Sequence, residues 1–467
     1  MNSAFRLAPD RNGGSAAYDP RYDPLVDAVP GHGRAYAPTY WVATAGPPPA
    51  DDGPIESDVQ VDVAVIGAGF TGLATALFLA EEHGLEVAVV EANRTAWGCT
   101  SRNGGQGQNA SGRLYRSQWI QKWGLDVAKR LDAEIRSGFD TFKSLVTQID
   151  CDAQQGGHLL VAHRPRKMEF LRREAEVLRD VFGYQVELLS AEQLRERYCD
   201  EREAAGALHE PDGIGVHPLK LAYGYQRLAR AVGARVHSAS PVIGWTQDGA
   251  RERLHTPGGT VSARAVAICT GGYTSQQLAP ILRSRVMPIL SNSMVTRPLT
   301  DDELRQTNFR STVFLTDTRT LRFYYRLLPD RRVQIGSRSA ITGADAENPR
   351  HIELLRRGLA RKFPPLAEID IDYCWWGWVD VSHDMMPRIF QPDEQRRVYY
   401  ALGYGGNGVA YSAHAGRRLA ARIAGQKLIE FDLPIYDSAL PRHWAAPLRR
   451  VGQAFLYRWY AFRDEAP

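Results

Sequence analysis

The chain has 467 residues, 44% of them hydrophobic and 24% charged, with a formal net charge of +4; this is a globular composition with room for two or three domains. Its basic residues come as scattered pairs such as Arg331-Arg332 and Arg417-Arg418, without a long run or an aromatic-interleaved stripe, which argues against a nucleic-acid partner. Five widely spaced cysteines without a C-x-x-C give neither a disulfide framework nor a metal site.

In chain order, Met1 to Asp10 lacks a charged stretch leading into an apolar one, so no signal peptide is expected. No apolar run reaches the roughly 18 residues of a membrane span, and a cytoplasmic protein is the expectation. Residues 1–58, rich in Pro, Gly, Ala and Asp, lack periodicity and read as an arm laid on the body or partly disordered. Pro38 to Thr44 is its aromatic docking point. The segment Val61-Asp-Val-Ala-Val-Ile66 then reads as a strand buried on both faces. Gly67, Gly69 and Gly72 follow as G-x-G-x-x-G, opening a helix from Phe70 to Glu82. A second strand is Val87 to Val90, and Glu91 lies 19 residues past Gly72. Glycines at those places permit a tight turn, close approach of a pyrophosphate and tight helix packing. The acid is placed to bond ribose hydroxyls. Strand, glycines, helix, strand and acid in register predict a dinucleotide site.

Trp97 to Gly107 is a polar, glycine-rich loop suited to closing over a flat cofactor ring. Periodicity predicts helices over 118–148, 167–180, 219–232, 351–363 and 409–425, and strands over 157–162, 235–237, 261–270, 373–378 and 398–402. A hairpin, 321–328 with 332–336, turns at Pro329-Asp330. The apolar strand at 261–270 resumes the sheet begun at Val61, which makes 150–210 an insertion. Gly403-Tyr-Gly-Gly-Asn-Gly408 is a second glycine-rich strand-to-helix junction. The basic amphipathic helix Leu448 to Trp459 admits two readings, contact with a membrane surface or packing onto the body with its arginine heads in water, and the second is preferred.

These motifs, together with Ser101-Arg-Asn-Gly-Gly-Gln106, Gly215-Val-His-Pro218, Thr270-Gly-Gly-Tyr273 and Trp376-Gly377, resemble the D-amino-acid-oxidase-type FAD family, which includes glycine and sarcosine oxidases. The resemblance runs from about Thr39 to Tyr460. It implies an α/β + β fold: a Rossmann-like FAD-binding domain of the glutathione-reductase type, interleaved with a substrate domain built on a mixed/antiparallel sheet. The implied division is an arm (1–58), an FAD-binding domain in three pieces (59–148, 211–282 and 379–432), a substrate domain in two (149–210 and 283–378), and a tail helix (433–467). It also implies FAD held by Gly67, Ala68, Gly69, Phe70, Thr71 and Gly72, with Glu91 and Ala92 at the ribose. Further contacts fall to Ser101, Arg102, Asn103, Gly104, Gly105 and Gln106, to Val242, Thr270 and Gly271, and to Gly405, Gly406, Asn407, Gly408 and Val409. Thr100-Ser101 stands where relatives commonly show Ser-Gly. No cysteine or histidine motif for covalent attachment is present, so the FAD is expected to be non-covalent.

The activity implied is oxidation of a small amine, such as a γ-glutamylated polyamine or an amino acid, by hydride transfer to flavin N5, with oxygen or an electron carrier as acceptor. Rival readings are an NAD-dependent dehydrogenase, a flavin-binding subunit inactive alone, and a base modifier. On the predicted strand Arg322, Tyr324 and Arg326 share one face, and two guanidiniums beside a phenol suit a substrate carboxylate. Trp375, Trp376 and Trp378 are candidate pocket walls, with Trp376 preferred. His217 and His383 read as structural and Cys99 as an inert thiol.

Overall fold

Val59–Ile66 is the central strand of a nine-stranded sheet. Its run of small and β-branched side chains can be buried on both faces at once. It pairs in parallel with Val87–Val90 on one edge and with Thr260–Ile268 on the other. Arg235–His237 extends the sheet beyond Val87–Val90, again in parallel. The far edge of Thr260–Ile268 is divided between two partners. Its first half pairs antiparallel with Arg251–His255, and Val266 to Ile268 pair in parallel with Val398–Leu402. The structure is a computed structural model and describes residues 17–465 with the backbone of the short strand Phe5–Arg6. Apart from that strand, the reading of Met1 to Asp10, and the rest of the arm before Ala17, lie outside the described residues.

The second sheet has eight strands, drawn from His158–Ala162, Glu187–Ser190 and Gly206–Glu210 and from five strands between Val286–Thr296 and Ile371–Ser382. It is mixed. Phe314–Asp317 runs parallel to His158–Ala162, and the other pairings are antiparallel. The fold is therefore α/β with a large additional β component, as the family resemblance implies.

Helices Phe70–His83 and Tyr411–Ile423 pack together on the first sheet. Gly416 makes this possible, since a Cβ there would stand 2.9 Å from the Thr71 carbonyl oxygen. The single helix predicted over 118–148 is two, Arg116–Trp123 and Leu125–Thr147. Gly124, at φ 82°, breaks it in a conformation that costs other residues more. Over its described length the arm lies on the body. Thr39 caps the short helix Tyr40–Thr44, Tyr40 and Trp41 are buried, and Trp41 Nε1 donates to Asn103 O at 2.9 Å.

The C-terminal helix Arg449–Glu465 packs onto the body, as preferred, but through polar residues, with Arg450 bonded to Asp23 rather than in water. Its buried residues are Gln453 and Asp464, while Phe455 and Phe462 are each 71% exposed. Polar partners on the body decide the orientation. Asp464 Oδ2 accepts from Thr320 N at 2.7 Å, and Arg450 Nη2 bonds both Asp23 carboxylate oxygens at 2.9 Å.

Candidate active site

A long cavity runs from the C-terminal ends of the parallel strands to the second sheet. At one end it is lined by Gly67, Gly69, Phe70, Thr71, Glu91, Ala92 and Val242. The other end is formed by Arg113, Ser291, Arg322, Tyr324 and Arg338. Two helices begin on its wall. Gly69 caps Phe70–His83 without a side chain, and although Phe70 N donates to Thr100 Oγ1 at 3.3 Å, Gly69, Phe70 and Thr71 bring the start of the helix to the cavity wall, the usual seat of a diphosphate. Gly72 does not reach the wall. A Cβ there would lie 1.9 Å from the Gly67 carbonyl oxygen, so its role is to let helix meet strand. At the second junction Gly405 and Gly406 have φ of 66° and 97°, which favours glycine. Gly406, Asn407, Gly408 and Val409 reach the wall ahead of Tyr411–Ile423, whose N-terminus also has no side-chain cap. Thr71 Oγ1 and Tyr404 Oη, 3.0 Å apart, tie the two junctions together.

Glu91 accepts from Ala68 N and Asn93 N, each at 2.9 Å, and burial raises its carboxyl above the ordinary value. The 97–106 loop crosses the middle of the cavity. Arg102, Asn103, Gly104 and Gln106 line it, as do Thr270 and Gly271. Ala68, Ser101, Gly105 and Gly405 stand behind the wall and shape it. Ser101 Oγ donates to Trp97 O, and Gly105 leaves room for the Val216 carbonyl. Arg102 is held among Trp97, Tyr18 and Tyr273, its guanidinium carbon 4.5 Å from the Trp97 ring centre. Cys99 also faces the cavity, where burial pushes its thiol up to about 12, a neutral group at ordinary pH. This donor set suits an FAD: two helix N-termini at the wall, a buried acid beside the first of them, and a polar, glycine-rich middle.

The residues expected to meet substrate divide. Tyr324 and Arg322 line the cavity. Tyr324 lies across Gly336 of the neighbouring strand, and its hydroxyl stands 3.0 Å from Ser291 Oγ and 2.7 Å from Ser293 Oγ. Arg326 does not reach the cavity. It shares Tyr324's face, but one step further along the strand the Gly104–Gly105 turn and Gly215 cover it. Its Nη2 donates to Val216 O at 2.6 Å, and it is 1% exposed. Burial lowers its guanidinium to about 10. Trp376 is not a pocket wall either. Gly377 and Val379 take the cavity positions of Ile371–Ser382, while Trp376 Nε1 donates to Pro20 O on the far side. Trp375 Nε1 donates to Arg102 O and Trp378 Nε1 to Tyr22 O.

Arg113 and Arg338 were missed. Both donate to the Gly405 carbonyl at 3.3 Å, and burial, with the neighbouring arginines, holds both guanidiniums below their ordinary value. Arg338 was within reach of sequence reasoning, because it falls two residues past Gly336, directly after the hairpin strand Val333–Ser337 that faces Tyr324. Arg113 lies in a loop with no periodic signal. Among the described residues Arg322 Nε is buried without a hydrogen-bond partner. The acids on the cavity wall, Glu91 and Asp380, are each bonded by backbone N–H groups, and burial raises Asp380 to about 6.

Comparison with known proteins matches residues 62–422 to the family described as FAD dependent oxidoreductase (DAO). The chain belongs to that family. It is 32% identical over 417 residues to gamma-glutamylputrescine oxidoreductase of Escherichia coli (strain K12), covering 88% of this chain and 94% of the relative. Glycine oxidase of Bacillus licheniformis is 25% identical over 381 residues, 78% of this chain and 94% of its own. The solved glycine oxidase of Geobacillus kaustophilus superposes with a TM-score of 0.67 at 22% identity, over 82% of this chain and 99% of that one, a likeness of fold. The protein is thus an FAD-dependent amine oxidoreductase, acting on amines or amino acids, and the reading as an NAD-dependent dehydrogenase is set aside.

Proposed function

We propose that this oxidoreductase acts on a small amine that also carries a carboxylate, such as a γ-glutamylated amine or an amino acid. The observation that supports this is the set of three arginines, Arg113, Arg322 and Arg338, at the second-sheet end of the cavity. None has a carboxylate partner among the described residues, and a guanidinium binds carboxylate in charge-assisted pairs. The name of the E. coli relative, which acts on a γ-glutamyl amine, points the same way. Bound FAD supplies the hydride acceptor, leaving an imine that water hydrolyses to a carbonyl compound and an amine or ammonia. The chain's own part is orientation. Arg322 and Arg338 hold the carboxylate, with Arg113 adding charge, and the Tyr324 hydroxyl fixes the nearer part of the substrate. Among the described residues the cavity wall has no histidine or lysine, so the neutral amine's own lone pair drives hydride departure without a protein base.

Anaerobic mixing with a panel of amines tests this. Carboxylate-bearing amines are expected to bleach the flavin, faster as pH rises through the bound amine's pKa, and plain amines of equal length to do so poorly. Bleaching by plain amines alone would refute the carboxylate. No bleaching by any amine without an added protein would mark a subunit inactive alone.

A further inference from the structure

The C-terminal helix presents its apolar side to solvent. Val451, Phe455, Trp459 and Phe462 recur at four- and three-residue spacing and are 70%, 71%, 50% and 71% exposed; Leu448 just before the helix is 64% exposed and Trp444 89%. At 100° per residue the stripe falls within one arc of the helix. Arg458 borders that arc on one side and Arg463 on the other. The opposite side is polar and fastened down. Arg450 pairs with Asp23, Glu465 with Arg319 and Arg164, and His163 Nε2 lies 2.9 Å from the Asp464 carbonyl oxygen. The helix therefore cannot roll its apolar side inward without breaking these pairs.

We infer that this face lies on an anionic lipid surface. Charge complementarity selects that occupant. Between Pro441 and Glu465 the acids are Asp464, buried on the inner side, and Glu465, which is exposed but paired with Arg319 and Arg164. Arg442 and Arg458 are exposed, and no carboxylate partner is found for them among the described residues. An apolar arc bordered by arginines, with tryptophans at Trp444 and Trp459, matches a helix lying in the plane of a membrane interface, aromatic rings at headgroup depth and guanidiniums at phosphates. A second copy of the helix would instead set arginine borders against arginine borders. The seventeen residues span about 25 Å at 1.5 Å each, and no helix among the described residues is long and apolar enough to cross a membrane. The contact is therefore in-plane.

The test is flotation of the flavin-loaded full chain with vesicles of phosphatidylcholine alone or mixed with phosphatidylglycerol. Binding is expected to the mixed vesicles, with a blue shift of tryptophan emission, and to weaken with added salt. The double variant Phe455→Ser, Phe462→Ser should lose at least about tenfold in partition, with flavin content and melting unchanged because both rings are already in water. Light scattering on the same samples reads the oligomeric state. Absence of binding, equal binding to neutral vesicles, or an oligomer that the double variant dissociates would each overturn the inference.

Discussion

Arg338 and Arg326 are chemically alike but differently placed, because of what covers them. Arg338 opens on the cavity beside Arg113 and Arg322, so a substrate carboxylate there would gain a charge-assisted bond worth about 1.5–3 kcal/mol. Arg338→Met should therefore lower kcat/KM for carboxylate-bearing amines by roughly one to two orders of magnitude and leave plain amines almost unaffected. Arg326→Met should do the reverse. It removes the donor to Val216 O and a filling group between Gly105 and Gly215, so it should lower the melting temperature without selective loss for carboxylated substrates. Steady-state kinetics on paired substrates and a melting curve for each variant decide it; a selective loss in Arg326→Met would return the carboxylate to that residue. Period-two alternation correctly put Tyr324 and Arg326 on one face. It carries no information on the Gly104–Gly105 turn, more than 200 residues away in sequence, that closes over the second of them.

Among the elements, those whose determinants are local were legible. Val59–Ile66, the glycines and Phe70–His83 need only their own periodicity and turn chemistry. The Arg449–Glu465 pattern tells that two faces exist, but the choice of inner face rests with Asp23, His163 and Arg319 on distant elements. Helix docking elsewhere depends on an equally distant cluster. Glu134 on Leu125–Thr147 accepts from Arg418 Nη2 at 2.6 Å, with His414 Nε2 at 2.8 Å, and both partners belong to Tyr411–Ile423. Burial opposes ionisation of Glu134, but the bonds from His414 and Arg418 outweigh it and hold the carboxyl at about 2. Its folded pKa lies below the unfolded value, so its stabilisation is full above the ordinary carboxylate pKa and is lost as pH falls toward about 2. Glu134→Gln should therefore lower stability at neutral pH, by up to about 3–5 kcal/mol for a broken buried pair. It should also flatten the acid limb between roughly pH 4.5 and 2. Denaturant melts across that range check both, and an unchanged acid limb would assign the acid sensitivity to other carboxylates.

At the scale of the whole molecule, the cavity lies between two sheets whose strands alternate along the chain, and the arm reaches both of its ends. Ala28, Val29 and Pro30 form part of the cavity wall. Gly33 N donates to Ala92 O and Arg34 N to Asn93 Oδ1, each at 2.9 Å, next to Glu91. On the second sheet Trp376 Nε1 donates to Pro20 O and Trp378 Nε1 to Tyr22 O, while Asp23 pairs with Arg450 of the C-terminal helix. A segment bonded beside both sheets and lining the wall between them should help hold a cofactor in the cavity. Deleting residues 1–36 leaves Trp41 under Asn103 but removes these ties. We expect the FAD dissociation constant to rise at least about tenfold, equivalent to about 1.4 kcal/mol. We also expect the melting temperature of the truncated chain to depend more steeply on added FAD, since a ligand that binds only the folded state stabilises it by mass action. FAD content after dilution and gel filtration, with melting curves over a series of FAD concentrations, measures both. A truncated chain that keeps its full flavin on dilution and melts like the intact one would show that the arm covers the cavity without holding what lies in it.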